Sequence, residues 1–263
     1  MLARSPAAGK GYISLEGPMT RLSVNVNKVA TLRNTRTNGI PSVLKAARIA
    51  LAAGAHGITV HPRPDQRHIR PHDVYEIANL LKAHPEAEFN IEGNPFHQYT
   101  EFAEKVRPTQ CTLVPDSLDA FTSNHGWDLR THGERLRPVI AVLRGLDCRV
   151  SLFMDPIPEQ IELASGLGAD RIELYTEPYA DAFARGETEK VLPAYIEAAR
   201  RARDLGLGVN AGHDLNLDNL PTLLSAIPFL AEVSIGHALI ADALEFGLHE
   251  TVRKYLAVAK ALS

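Results

Sequence analysis

Short runs rich in β-branched residues alternate along the chain with stretches in which apolar residues recur at helical spacing. We identify eight such runs, at residues 23–27, 57–61, 88–92, 110–114, 149–154, 171–175, 208–210 (running on to Gly212 and His213) and 232–237. Short runs of this kind, separated by helices, are typical of βα units that form a parallel sheet. Eight units in 263 residues predict an α/β protein, a single-domain (β/α)8 TIM barrel with extra short helices.

The stretches between these runs predict the surrounding helices. The predicted helices cover residues 41–53, 71–83, 98–106, 130–143, 157–167, 188–205, 218–226 and 239–261. The connections that follow the strands are longer than those that precede them, and four of them are taken as loops, at residues 27–40, 61–70, 115–129 and 176–187. Because such loops lie at the carboxyl ends of barrel strands, they are the expected place for ligand contacts.

The first residues follow neither a helical nor a strand period. We expect residues 1–20 to form a disordered N-terminal extension and residues 21–263 to form the catalytic barrel. Since a second methionine, Met19, precedes the first strand, the sequence leaves open whether translation starts at Met1 or Met19.

The overall composition argues against nucleic acid and membranes as partners. A formal net charge of −3 provides no basic surface for nucleic acid, and no apolar stretch approaches the roughly 20 residues that cross a bilayer. The two cysteines, Cys111 and Cys148, lie in or beside apolar strands. We expect them to be buried free thiols of a cytoplasmic protein.

Ionisable residues recur where the predicted strands end. His61, Glu92, Glu173 and His213 each occupy such a position, and Asn25 and Asn27 lie at the end of the first predicted strand. A single histidine at a strand end is more often structural, but four acid–base groups at the same end of successive strands favour catalysis.

The first two long loops carry cationic residues without an equal number of neighbouring acids. These residues are Arg33, Arg36, Arg63, Arg67 and His68. They indicate an anion site, because guanidinium groups match phosphate oxygens, although solvated loop charge explains them about as well. The pairs Gly212-His213 and Gly236-His237 follow the last two strands, where barrels often bind phosphate on backbone N–H groups. The chain therefore predicts either one bisphosphate ligand or two monophosphates.

Two other chemistries compete for these residues. A zinc site needs three or more clustered ligands, but the first strand offers Asn-Val-Asn and no cysteine accompanies the histidines, so we expect no metal. Lys28, which follows the first strand, could form a Schiff base as in a sugar-phosphate aldolase, or belong to an epimerase-like barrel. A phosphate-side or solvent charge is the simpler interpretation of Lys28.

Seven motifs together resemble the pyridoxine 5′-phosphate synthase family. They are NVNKVATLRNTR (25–36), GITVHPRPDQRHIR (57–70), FNIEGNP (89–95), TLVPD (112–116), RIELYTEPYADA (171–182), VNAGHDLN (209–216) and IGHALI (235–240). They occur in order, nearly all at strand ends. The resemblance implies a homo-octameric cytoplasmic enzyme without a cofactor. It would condense 3-amino-2-oxopropyl phosphate with 1-deoxy-D-xylulose 5-phosphate, giving pyridoxine 5′-phosphate, inorganic phosphate and water.

The resemblance also implies residue roles. His61 and Glu92 would be proton acceptors, His213 the proton donor, and Glu173 a carboxylate that stabilises cationic intermediates. The residues that would contact the deoxyxylulose phosphate are Arg63, His68 and Thr122. Those that would contact the amino ketone phosphate are Asn25, Arg36, Asp214, Gly236 and His237.

The chain departs from the best-known members at three places. Asn27-Lys28 replaces Asp-His, Asp214 replaces a glycine, and Glu177-Pro178 replaces Gly-Cys. We interpret these changes as the character of a second branch of the family. A catalytically silent protein that binds phosphorylated metabolites is a further alternative, against which the complete set of four acid–base residues argues.

Overall fold

Eight parallel strands close into a barrel in the order of the sequence. The computed structural model describes residues 19–97, 99–117 and 122–262. The strands are β1 (Arg21–Asn25), β2 (Gly57–Val60), β3 (Glu88–Gly93), β4 (Gln110–Leu113), β5 (Arg149–Met154), β6 (Arg171–Leu174), β7 (Gly208–Ala211) and β8 (Glu232–Ile235). Each strand pairs with the next, and β8 closes on β1 with Ser23 opposite Ser234. The predicted (β/α)8 fold is confirmed.

In the part of the chain that the structure describes, eleven helices surround the strands. They are α1 (Asn27–Asn34), α2 (Val43–Ala52), α3 (Pro71–Leu81), α4 (Tyr99–Val106), α5 (Leu129–Gly145), α6 (Pro158–Gly166), α7 (Glu177–Ala184), α8 (Thr188–Asp204), α9 (Leu220–Ala226), α10 (His237–Phe246) and α11 (Leu248–Ala261). Local chemistry sets several ends: the Ser42 hydroxyl accepts from the Lys45 N–H at the start of α2, and Pro158 opens α6.

Three predicted segments were wrong in detail. The loops at 27–40 and 176–187 contain helices α1 and α7, respectively. The single predicted helix at 239–261 is two helices, because Gly247 adopts φ 77°, a left-handed conformation that ends α10.

The apolar core is a ring between the strands and the helices. Alternate strand residues such as Val24, Ile58, Ile91 and Ile172 are fully or almost fully buried and pack with the helices in one cluster. Since successive side chains of a strand point to opposite faces, the residues between them point into the barrel.

The inside of the barrel is polar. At the amino ends of the strands, Arg171 donates to Glu232 over 3.3 Å, Gln110 donates to the other Glu232 oxygen over 3.4 Å, and Arg149 bonds to Gln110 over 2.8 Å. Above this layer, the Ser23 and Thr59 hydroxyls lie 2.7 Å apart. Hydrogen bonds replace the branched apolar side chains that usually fill such barrels.

Most of the predicted N-terminal extension cannot be compared with the fold. Residues 1–18 of the predicted extension lie outside the described residues, whereas Thr20 is buried and its hydroxyl donates to the Leu230 carbonyl over 2.9 Å. Among the described residues, no helix has the length and apolar character needed to span a bilayer.

Candidate active site

His61, Glu92 and Asn25 meet at the carboxyl ends of β1 to β3. The Asn25 amide donates to Glu92 Oε2 over 3.3 Å, and His61 Nδ1 lies 4.0 Å from that same oxygen. Asn27 Oδ1 accepts from the His61 backbone N–H over 2.9 Å, which holds the end of β2 against the start of α1. Three residues predicted from separate motifs are therefore adjacent.

Two histidines on this side of the barrel, His61 and His68, have a lowered pKa and are neutral near pH 7. Burial, followed by the nearby Arg63 guanidinium, lowers the pKa of His61 to about 3. Burial, followed by the effect of His61, lowers the pKa of His68 to about 3, and the two rings lie 5.8 Å apart. A neutral imidazole can accept a proton, which suits the predicted role of His61.

The carboxyl groups of Glu92 and Glu173 inside the barrel have a raised pKa. Burial raises the pKa of Glu92 to about 8, with further contributions from the negative charges of Asp116 and Glu232. Burial raises the pKa of Glu173 as well, and Glu92 adds to this effect. Glu173 Oε2 is buried without a hydrogen-bond partner among the described residues. These carboxyl groups hold protons under conditions in which exposed carboxylates have lost them.

His213 lies on the opposite side of the barrel, after β7. Its Nε2 lies 3.5 Å from the Thr122 hydroxyl and 3.6 Å from Glu177 Oε2, and its carbonyl accepts from the Thr176 hydroxyl over 2.6 Å. The rings of Tyr175 and Phe153 pack against its imidazole. The predicted contact residue Thr122 is therefore next to the predicted proton donor.

Three of the five cationic residues predicted for the anion site have acidic partners in the folded chain. Arg33 lies on α1, is buried and forms an ion pair with Asp73, so it is not available to a ligand. Arg67 pairs with Asp65 over 2.5 Å, and Arg63 pairs with Asp116 over 2.6 Å. Asp73 and Asp116 are far from their arginine partners in the sequence and come near them only in the folded chain.

The remaining predicted contact residues lie around the rim. Gly236 packs so closely on Asn25 that a Cβ atom there would lie 3.2 Å from two atoms of its side chain. His237, the first residue of α10, is exposed, as is Arg36, which follows α1. Asp214 has φ 59°, the left-handed conformation that glycine adopts readily, which explains why the position suits glycine.

Two alternative chemistries can be compared with the geometry. Lys28 is exposed on α1, so it lacks the desolvation that would activate a Schiff-base lysine. Glu177, His213 and Asp214 bring possible ligand atoms within 4.8 Å of one another. However, Glu177 Oε2 already accepts a close hydrogen bond from the Tyr175 hydroxyl. That arrangement alone does not define a metal site.

Two residues close to the site carried no predicted role. Asp116 contacts Arg63 and lies near His61, and Glu177 lies beside His213. Asp116 ends the TLVPD motif directly after β4, so its position at a strand end was the available signal. Glu177 begins α7, a helix that the sequence pattern did not indicate.

Comparison with known proteins agrees with the geometry. Residues 22–261 match the family described as pyridoxal phosphate biosynthesis protein PdxJ. The chain is 57% identical over 242 residues to pyridoxine 5′-phosphate synthase of Albidiferax ferrireducens, covering 90% of this chain and 96% of that protein. It is 54% identical over 246 residues to the Xanthomonas campestris pv. campestris synthase, covering 91% and 96%.

Solved structures share the fold at low identity. Tryptophan synthase from Mycobacterium tuberculosis superposes with a TM-score of 0.64 at 11% identity, covering 92% of this chain and 93% of that one. Phosphoribosylanthranilate isomerase from Thermotoga maritima gives a TM-score of 0.56 at 15% identity, covering 93% and 100%. These likenesses concern the barrel alone. The match across residues 22–261 and the identities above 50% show that the chain belongs to the PdxJ family of pyridoxal phosphate biosynthesis proteins.

Proposed function

We propose that the protein is a pyridoxine 5′-phosphate synthase. It would join 3-amino-2-oxopropyl phosphate to 1-deoxy-D-xylulose 5-phosphate and release inorganic phosphate and two water molecules. The observation that carries the proposal is a neutral imidazole, His61, 4.0 Å from a carboxyl group with a pKa of about 8, Glu92. The identities above 50% to synthases of that name support the same activity.

The first half of the reaction needs protons delivered to oxygen. The amine of one substrate adds to the ketone of the other, and loss of the hydroxyl group as water gives an imine. His213, beside the Thr122 hydroxyl, is the proposed donor for a departing hydroxyl group. Glu173, buried in the barrel, would lie beneath the cationic intermediates and stabilise them once it loses its proton.

The second half needs protons removed from carbon next to the imine. His61 is neutral and can accept one directly. Glu92, with a pKa of about 8, is a stronger base after deprotonation than an ordinary carboxylate, and its pKa lies near the working pH. Loss of phosphate and ring closure then require no redox step, and we propose that no cofactor or metal takes part.

The two phosphate groups would bind at two different sets of residues. Arg63, His68 and Thr122 would contact the deoxyxylulose phosphate. The amino ketone phosphate would contact Asn25, Arg36, Asp214, Gly236 and His237. Since Asp214 is in the left-handed conformation with an exposed side chain, its contact would come from the backbone N–H.

The test is to mix both substrates with the purified protein and follow the product by absorbance. The wild type should form pyridoxine 5′-phosphate, and His213→Ala should lose at least about 100-fold in rate, the usual scale for one general acid or base. Borohydride treatment in the presence of substrate provides the contrast. A Lys28 adduct would support the aldolase alternative and count against the synthase.

We further propose a cytoplasmic homo-octamer. Helices α1 and α10 pack together and expose apolar residues: Leu32 is 52% exposed, Leu244 80% and Phe246 47%. Exposed apolar groups of this kind are typical of subunit interfaces. Sedimentation should give the mass of eight chains, and Leu244→Glu should lower it. A monomeric wild type would contradict the assembly but not the activity.

A further inference from the structure

Asp116 is a buried carboxylate at which three strand ends meet. It lies just beyond β4 and is 5% exposed. Its Oδ2 accepts from Arg63 Nη1 over 2.6 Å and from the Ser123 hydroxyl over 3.0 Å. Arg63 belongs to the loop after β2 and Ser123 to the loop after β4, so this one oxygen joins the two loops.

The backbone beside Asp116 is held as firmly as its side chain. The Asn94 amide, after β3, donates to the Asp116 carbonyl over 3.0 Å. Arg63 Nη2 donates to the Ser117 carbonyl over 3.0 Å. With backbone and carboxylate both bonded, Asp116 has little freedom to turn away. A small cleft beside it is lined by these same residues together with His61 and His97.

The His61 imidazole lies between Asp116 and Glu92. Its Nε2 is 3.9 Å from Asp116 Oδ2, and its Nδ1 is 4.0 Å from Glu92 Oε2. Both distances exceed that of a hydrogen bond, so the ring lies beside both carboxyl groups without bonding to either. Asp116 therefore lies beside His61, one of the two proposed proton acceptors.

We propose that Asp116 is a positioning residue, which fixes the Arg63 guanidinium and the His61 imidazole relative to Glu92 before substrate binds. The assignment rests on the proposed function, since Arg63 and His61 are the proposed sugar-phosphate contact and proton acceptor. Asp116 itself would touch neither substrate. The nearest alternative is a purely structural role, in which the Arg63–Asp116 pair only holds two loops together.

The two roles differ in their effect on Glu92. The negative charge of Asp116 is, after burial, the largest cause of the raised pKa of Glu92. The groups that face Glu92 are Asn25 from β1, His61 after β2, Glu173 from β6, Glu232 from β8 and Asp116 itself. Removing the Asp116 charge should therefore lower the pKa of Glu92, which a loss of loop packing alone would not do.

The experiment compares three variants. Asp116→Asn removes the charge but keeps the size, Asp116→Glu keeps the charge, and Ser123→Ala removes a hydrogen bond to the same oxygen without altering charge. For Asp116→Asn, we expect the acid limb of the kcat/KM profile to move about one pH unit lower. We also expect KM for deoxyxylulose phosphate to rise about 10-fold, because Arg63 loses its partner. In Asp116→Glu, the acid limb should lie close to its position in the wild type, and in Ser123→Ala it should not move.

Two results would overturn the proposal. One is an acid limb that stays in place in Asp116→Asn, and the other is an equal displacement in Ser123→Ala. Infrared titration of the Glu92 carboxyl group measures the same change in pKa without turnover. The band of this group is the one that is absent in Glu92→Gln. If the wild type forms no product, the proposed function fails. The infrared titration, together with calorimetric binding of deoxyxylulose phosphate to the variants, still decides the role of Asp116.

Discussion

Arg33 and Asp73 form a buried ion pair that joins helix α1 to the first turn of α3. The other Asp73 oxygen accepts from the Arg70 backbone N–H over 2.8 Å, and Arg33 Nη2 also donates to the His68 carbonyl over 3.2 Å. The pair therefore fixes the loop that carries His68.

Breaking this pair should destabilise the fold. Asp73→Asn leaves a buried guanidinium without its counter-charge, so we expect the free energy of unfolding to fall by about 3 kcal/mol. Urea denaturation measures it. Asp65→Asn, which breaks the more exposed pair with Arg67, should cost no more than about 1 kcal/mol. Equal losses in the two variants would show that burial of the pair does not matter.

Glu92→Gln should stabilise the protein at high pH. In the folded state the pKa of Glu92 is about 8, against an ordinary value of 4.5, so the folded chain holds a proton that the unfolded chain loses. Stability is therefore lost as the pH rises from 4.5 to 8. The variant cannot ionise at this position. At pH 8 we therefore expect its free energy of unfolding to be at least about 2 kcal/mol higher than that of the wild type. The difference should shrink towards pH 4.5. A constant difference at both pH values would refute the raised pKa.

His61 should have the opposite pH dependence. With a folded pKa of about 3 and an ordinary value of 6.5, the unfolded state takes up a proton first, so stability is lost as the pH falls below 6.5. His61 alone contributes up to about 1.4 kcal/mol per pH unit in that range. His61→Gln should remove this part of the slope between pH 6.5 and 5. In NMR spectra, the His61 ring should keep its neutral-form shifts down to pH 5; a change between pH 7 and 5 would contradict the prediction.

Gly126 should not tolerate a side chain. A Cβ atom there would lie 2.1 Å from the Asp155 nitrogen and 2.5 Å from the Met154 carbonyl carbon, and backbone atoms cannot move aside easily. We expect Gly126→Ala to lower the free energy of unfolding by about 2 kcal/mol and to displace the segment that carries Thr122. At Gly145, the last residue of α5, an added Cβ atom would meet no atom of another part of the chain within 4 Å, so Gly145→Ala should be neutral or slightly stabilising. Thermal unfolding of both variants provides the comparison.

The strands were predictable because their pattern is local. In residues 88–92, Glu, Asn and Glu alternate with Phe and Ile, and this two-residue period survives in the folded barrel. Helix α1 was missed because only Val29, Ala30 and Arg33 are buried along its eight residues, so its apolar face is too short to produce a helical period.

The electrostatics of the site could not be predicted in the same way. Arg33 and Asp73 are 40 residues apart, and Arg63 and Asp116 are 53 apart. No local pattern connects such pairs, so nothing in the sequence indicated that Arg33 and Arg63 have acidic partners. The positions of His61, Glu92 and His213 at strand ends were predicted correctly, but the depressed and raised pKa values follow from burial, which depends on the closed barrel.

Neighbouring residues of a barrel strand face different surroundings. Val24 and Asn25, Ile91 and Glu92, and Ile172 and Glu173 are consecutive pairs in which the first side chain packs under the helices and the second points to the interior. Substitutions intended to raise thermal stability can therefore be made at the positions that pack under the helices, without disturbing the ionisable groups inside the barrel. Substitutions at the inward-facing positions would change the chemistry of the site while leaving the apolar core intact.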